Sequence, residues 1–89
     1  MERELRRYRN TIDRIDNRLA RLLKKRLALV KQVGRMKRKR GMTVRQPERE
    51  EEILARVGRA ASDTETRDYL HALYRALFKA SYRVEGEDV

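Results

Sequence analysis

LRRYRNTIDRIDNRLARLLKKRLALVKQVGRMKRKR, residues 5–40, places apolar side chains at Leu5, Tyr8, Ile12, Ile15, Leu19, Leu22, Leu29, Val33 and Met36. The steps between them alternate between three and four over long stretches, and no proline intervenes, which is the signature of one long amphipathic helix. Gly34 is the one helix-weakening residue inside it, and Arg40-Gly41-Met42-Thr43 supplies the stop, with Gly41 suited to a C-terminal cap. The helix is expected over about residues 3–40. Some 37 residues rising about 1.5 Å each reach roughly 55 Å, whereas a compact globule of this chain length is only about 30 Å across. A helix that overshoots its own domain needs another chain along its apolar seam, so an intertwined helical dimer is expected, with antiparallel pairing keeping the basic ends apart.

Past this helix, Pro47 suits the first position of a second one, and Glu48, Glu50, Glu51 and Glu52 complement the positive end of its dipole. Ile53, Leu54, Val57 and Ala61 give it an apolar stripe, and its expected span is about 47–61. Ser62-Asp63-Thr64-Glu65 reads as a break with a capping box from Ser62 to Glu65. A third helix, about 64–85, follows with an apolar face of Leu70, Leu73, Tyr74, Leu77 and Phe78, and the tail from Gly86 to Val89 is expected to fray. With no strand-like alternation, repeat or low-complexity tract, the fold class is all-α: one domain over 1–89, three helices per protomer, dimeric.

The size of the chain favours the same conclusion, since a domain of 89 residues buries only about 60% of its unfolded surface and gains from a second subunit. No apolar run is long enough to span a bilayer, the start MERELRRYR has no signal-peptide pattern, and no cysteine offers a disulfide or thiolate metal site, so a soluble cytoplasmic protein is expected. The net charge of +10 is unevenly placed: residues 1–40 hold 16 Lys/Arg against 4 Asp/Glu (+12), and residues 41–89 hold 8 against 10 (−2). Such a field attracts anions, and charge alone leaves nucleic acid, acidic membrane surfaces and small polyanionic metabolites open.

Charged groups that interrupt the apolar stripes narrow the choice. The series Ile12, Leu19, position 26, Val33 repeats every seven residues, and Arg26 stands where a core residue belongs. Lys37, eleven residues on, lies within about 20° of the same helix face, so both side chains can enter one cavity; the alternative is that both snorkel to water. Arg49 stands one turn before Ile53 and faces inward, and Glu50 borders the same stripe, although a surface salt bridge at a helix start also accounts for that pair. The third stripe continues into Ser81 and Glu85. Three bases, a serine and two carboxyls on otherwise apolar faces describe a buried cationic pocket for a small anion. No cysteine, Gly-rich phosphate loop or metal-ligand spacing is present, and the lone His71 is expected at the surface, so no metal and no cofactor is expected. A site built from cations and hydrogen-bond donors suits a reaction driven by electrostatic stabilisation and conformational restraint.

The pattern Arg9-x-x-Ile12-x-x-Ile15-Asp16, Leu19-x-x-Leu22-Leu23-x-x-Arg26, Val33-Gly34-x-x-Lys37, Val44-x-x-Pro47-x-Arg49-Glu50 resembles the AroQ-type chorismate mutases, from about Arg6 to Leu54. Ser81 and Glu85 are the chief correspondences in the third helix. The resemblance implies a three-helix protomer whose long first helices intertwine in a homodimer, with chorismate rearranged to prephenate in the shikimate pathway of aromatic amino acid biosynthesis. It implies that Arg9, donated by the partner subunit, and Lys37 hold the enolpyruvyl carboxylate. Arg26 with Ser81 would hold the ring carboxylate, and Arg49 would add positive field. Glu50 would accept from the ring hydroxyl, Lys37 with Glu85 would bond the ether oxygen, and Val33 and Phe78 would form apolar walls.

Two positions depart from the common pattern. Many bacterial members have glutamine where Glu85 falls; a carboxyl there donates to the ether oxygen only when protonated, as in the fungal members, and activity is then expected to fall as pH rises. Gln46 replaces a common aspartate that touches the substrate hydroxyl, which predicts weaker orientation without loss of activity. The isochorismate pyruvate-lyases share the helices and most cationic residues and are the nearest rival; Glu50, Gly34 and the loop spacing favour the mutase. A basic helical nucleic-acid-binding dimer explains the exposed bases of the first helix but not Arg26, Arg49, Ser81 and Glu85 on apolar faces. A helical module that binds an aromatic metabolite without turnover is a third reading.

Overall fold

The computed structural model describes residues 1–86 of the chain; positions 87–89 of the tail expected to fray lie outside the described residues. Three helices form the protomer: α1 (Glu2–Lys39), α2 (Pro47–Ala60) and α3 (Thr64–Glu85). Each boundary falls within a residue of the expected one. No strand occurs among the described residues. The principal axes measure 56 × 26 × 21 Å, and the long one is close to the length expected of α1.

Local chemistry accounts for the helix ends. At the C-terminus of α1, Gly41 takes φ +64° just past the cap Arg40. The Met42 N–H then donates to the Lys37 carbonyl at 2.8 Å and the Gly41 N–H to the Arg38 carbonyl at 3.3 Å, the paired closure that a left-handed residue makes possible. Pro47 opens α2 after Gln46, as expected. For α3 the capping box from Ser62 is corrected: Asp63 is the cap, and its carboxylate accepts from the Thr66 N–H at 2.7 Å. An ionised acceptor there meets both the orphan N–H groups and the positive end of the dipole, and that contact holds the Asp63 carboxyl below its ordinary pKa.

α3 packs against both other helices, so the core lies where its second half meets them. Ile53, Phe78 and Tyr82 are the buried apolar residues, ringed by Val44, Leu54, Val57 and Tyr74. Tyr74 meets Phe78 edge to face, with ring centroids 6.1 Å apart. His71, expected at the surface, is half-buried instead: its Nε2 lies 2.8 Å from the Leu54 carbonyl, so it donates from α3 to α2. Leu73, expected on the packed face, is exposed in the protomer.

This core is small, and no large side chain is fully buried. Every residue from Met1 to Lys25 is exposed, and along that half of α1 the apolar seam of Tyr8, Ile12, Ile15, Leu19 and Leu22 retains about half of its accessible surface or more. A contiguous apolar stripe of this length is a docking surface in search of a partner.

Candidate active site

The second half of α1, the start of α2 and the last turns of α3 enclose a cavity of about 360 Å³, within the range of small-ligand sites. Arg26, Val33, Lys37, Gln46, Arg49, Glu50, Phe78, Ser81 and Glu85 all line it. Nine of the ten residues singled out from the sequence therefore meet in one place. Arg9 does not line it; it lies on the exposed first half of α1.

The final turns of α3 organise the charged groups. Ser81, Tyr82 and Glu85 share one face of the helix, and each holds a different charge. The Arg26 guanidinium donates to the Ser81 hydroxyl at 2.7 Å, and that hydroxyl donates in turn to the Leu77 carbonyl at 2.8 Å. The Tyr82 hydroxyl donates to Glu50 Oε2 at 2.8 Å. Lys37 Nζ donates to Glu85 Oε1 and to the Val44 carbonyl, both at 2.5 Å. Lys37 and Glu85 are 7% and 5% exposed, so this is a buried ion pair whose partners support one another.

Counting donors shows what remains for a ligand. An ammonium has three N–H groups, and Lys37 commits two of them to protein among the described residues, which leaves one for the cavity. Arg26 gives one of its five N–H groups to Ser81 and presents the rest of its fork, the geometry that grips a carboxylate. Glu50 has one oxygen anchored by Tyr82 and the other open to a donor.

Arg49 is placed differently from the expectation. It is exposed at the mouth of the cavity and pairs with Glu52 at 3.1 Å across a solvated helix turn. At the first turn of α2 no further structure of the protomer covers it, so its long side chain turns to water. Gln46 lines the cavity, but its side-chain amide donates back to the Thr43 carbonyl at 2.7 Å and stiffens the loop between α1 and α2.

Gly34 explains how α1 and α3 come so close. A Cβ built there would lie 2.9 Å from the Glu85 Cα and 3.3 Å from its carbonyl oxygen, closer than packed carbon atoms stand. Gly34→Ala gains up to about 1 kcal/mol of helix propensity, against about 1–3 kcal/mol for overpacking. Its expected signature is kinetic: pushing Glu85 off Lys37 by a few tenths of an ångström lowers turnover about tenfold or more, while the melting temperature moves little. Unchanged turnover in steady-state assays would show that the close approach does not serve the site.

Two contributors escaped the sequence reading. Arg38 donates to the Glu85 carbonyl at 2.8 Å, closing α3 just before Gly86 turns away with φ +116°. Tyr82, 8% exposed, has its ring between Lys37 Nζ and the Arg45 guanidinium, 5.7 and 5.8 Å from its centroid. Burial, with the nearby Glu50 and Glu85 charges adding to it, raises the Tyr82 pKa above that of an ordinary phenol, so the hydroxyl keeps its proton to donate. The one available signal was its spacing, four residues after Phe78.

The chain matches the family model for chorismate mutase type II over residues 8–86. It belongs to that family. Among curated relatives, the bifunctional chorismate mutase/prephenate dehydratase of Aquifex aeolicus (strain VF5) is 34% identical over 86 residues, covering 92% of this chain. The chain spans 24% of the length of that relative. No solved structure matches significantly. In this member of the chorismate mutase type II family, Arg26, Lys37, Glu50, Ser81 and Glu85 all line the same cavity. No helix among the described residues is long and apolar enough to cross a membrane, and no His/Cys/Asp/Glu group there can hold a metal ion.

Proposed function

We propose that the chain is a chorismate mutase that rearranges chorismate to prephenate, acting in the cytoplasm as an intertwined homodimer in which the partner's Arg9 completes each site. The observation that carries this reading is the cavity itself: two cations with uncommitted donors, Arg26 and Lys37, face an anchored acceptor, Glu50, across apolar walls. Chorismate is a dianion with one ring hydroxyl. Arg26 takes the ring carboxylate, the remaining Lys37 N–H and the borrowed Arg9 take the enolpyruvyl carboxylate, and Glu50 accepts from the hydroxyl. Phe78 and Val33 hold the folded, chair-like substrate between them, and Arg49 at the mouth adds positive field.

In the transition state the ether bond stretches and negative charge collects on its oxygen. Lys37, held in place by Glu85 and the Val44 carbonyl, opposes that charge without reorganising, which is where preorganised charges contribute most. The exposed seam of α1 supports the dimer, because it supplies the apolar surface that a second copy of α1 would bury. The lyase and nucleic-acid readings draw no support from the family match or from the curated relative.

Loss of chorismate absorbance across about pH 5–8, with the product converted by acid to phenylpyruvate, tests the reading. Turnover to prephenate is expected. A folded dimer without turnover at any pH would overturn the assignment.

A further inference from the structure

We infer that Tyr82 is a positioning residue for substrate orientation, fixing the Glu50 carboxylate and the loop carrying Gln46 in the arrangement that receives the ring hydroxyl. The inference rests on the chorismate mutase reading and adds to it a residue whose hydroxyl acts through Glu50 and the Gln46 backbone.

The Tyr82 hydroxyl is a junction between three segments. It sits on α3, accepts from the Gln46 backbone N–H at 3.1 Å, and donates to Glu50 Oε2 at 2.8 Å on the first turn of α2. The Gln46 N–H is at the N-cap of α2, so the tyrosine meets one helix start with an acceptor and a donor at once. Glu50 is half-buried and has no ion pair among the described residues; this phenol anchors it. Without it, a side chain with three rotatable bonds samples several rotamers at the cavity wall, and ordering it falls to the substrate. With it, one carboxylate oxygen is occupied and the other is presented.

The ring is held as firmly as the hydroxyl. It belongs to the buried cluster with Ile53 and Phe78, and two cations flank it. Its neighbours on α3, Ser81 and Glu85, hold Arg26 and Lys37 in the same manner, so α3 orients all three groups that recognise the ligand. Ser81 and Glu85 also face the ligand, whereas the Tyr82 hydroxyl is spent on protein.

The test is a double-mutant cycle of Tyr82→Phe and Glu50→Ala, read as kcat and KM for chorismate with melting temperatures alongside. Tyr82→Phe keeps the ring and removes only the hydroxyl. It is expected to lower kcat/KM about tenfold, in line with one lost charge-assisted hydrogen bond. In the Glu50→Ala background the same change is expected to alter kcat/KM less than twofold, since nothing remains to position. A purely structural hydroxyl would multiply the two losses, which overturns the inference, as does Tyr82→Phe within twofold of the native enzyme. A native protein that leaves chorismate untouched removes the underlying reading instead, so the two failures are told apart.

Discussion

Arg26→Ala is expected to lower kcat/KM for chorismate by about a thousandfold, with the helices intact. Two magnitudes decide this. Removing one preorganised donor to a developing or bound anion costs about 10²–10³ in rate, and a guanidinium offers two such donors to a carboxylate. A thousandfold is about 4 kcal/mol of transition-state stabilisation. The fold loses far less, because Arg26 is only half-buried and is held among the described residues by its hydrogen bond to Ser81. That hydroxyl still donates to the Leu77 carbonyl after the truncation, so no buried polar group is orphaned, and the cost is about 1 kcal/mol. Steady-state kinetics with a thermal melt separate the two effects. Arg26→Lys recovers only part of the activity, since an ammonium cannot grip a carboxylate with two parallel bonds. A variant within tenfold of the native enzyme would remove Arg26 from the recognition of substrate.

The contrast between Lys37 and Arg26 follows from their surroundings. Lys37 sits in an ion pair with both partners under a tenth exposed, so its removal strands a buried carboxylate and threatens the fold at the same time as the chemistry. Arg26 carries function with little structural consequence and is therefore the cleaner probe.

The long helix was legible because a seven-residue apolar rhythm persists from Leu5 to Met36, and the interruption of that rhythm by Arg26 marked the cavity as well. Lys37, Ser81 and Glu85 were legible for the same reason, as polar groups at positions whose period demanded apolar ones. Arg49 lines the cavity, but its head pairs with Glu52 in water, because periodicity gives the direction of a side chain at its Cβ and says nothing of where a long, flexible stem ends. Tyr82 and Arg38 were invisible for a different reason. Their partners, Glu50 and the Glu85 carbonyl, are 32 and 47 residues away in sequence, and only the packing of α3 between the other helices brings them together. Gly34 read as a weak point of a helix; its meaning lies in the close approach of Glu85, which no local pattern encodes. The placement of Asp63 over Ser62 as cap turned on one residue of register, the margin within which helix boundaries are least determined by sequence.

Arg9→Ala and Arg26→Ala are each expected to be nearly inactive alone, yet mixing the two after unfolding and refolding together is expected to restore about a quarter of native activity. The expectation follows from the shape of α1. Arg9 stands on the exposed half of the helix and lines no part of its own protomer's cavity, so in the proposed dimer it serves the site from the partner subunit. In a mixed dimer, the subunit with native Arg26 receives native Arg9 from its partner and has one complete site, while the other site lacks both. Random reassortment makes about half of all dimers mixed, each with one working site of two, which gives the quarter. Refolding matters because the proposed dimer would bury the exposed seam of Tyr8, Ile12, Ile15, Leu19 and Leu22 and would exchange subunits slowly without it. Activity after mixing that equals the average of the two single variants would show that Arg9 acts within its own chain or not at all. Recovery near a quarter, measured by chorismate consumption, requires a site shared between subunits, because two defects on different chains can complement only where both chains build one cavity.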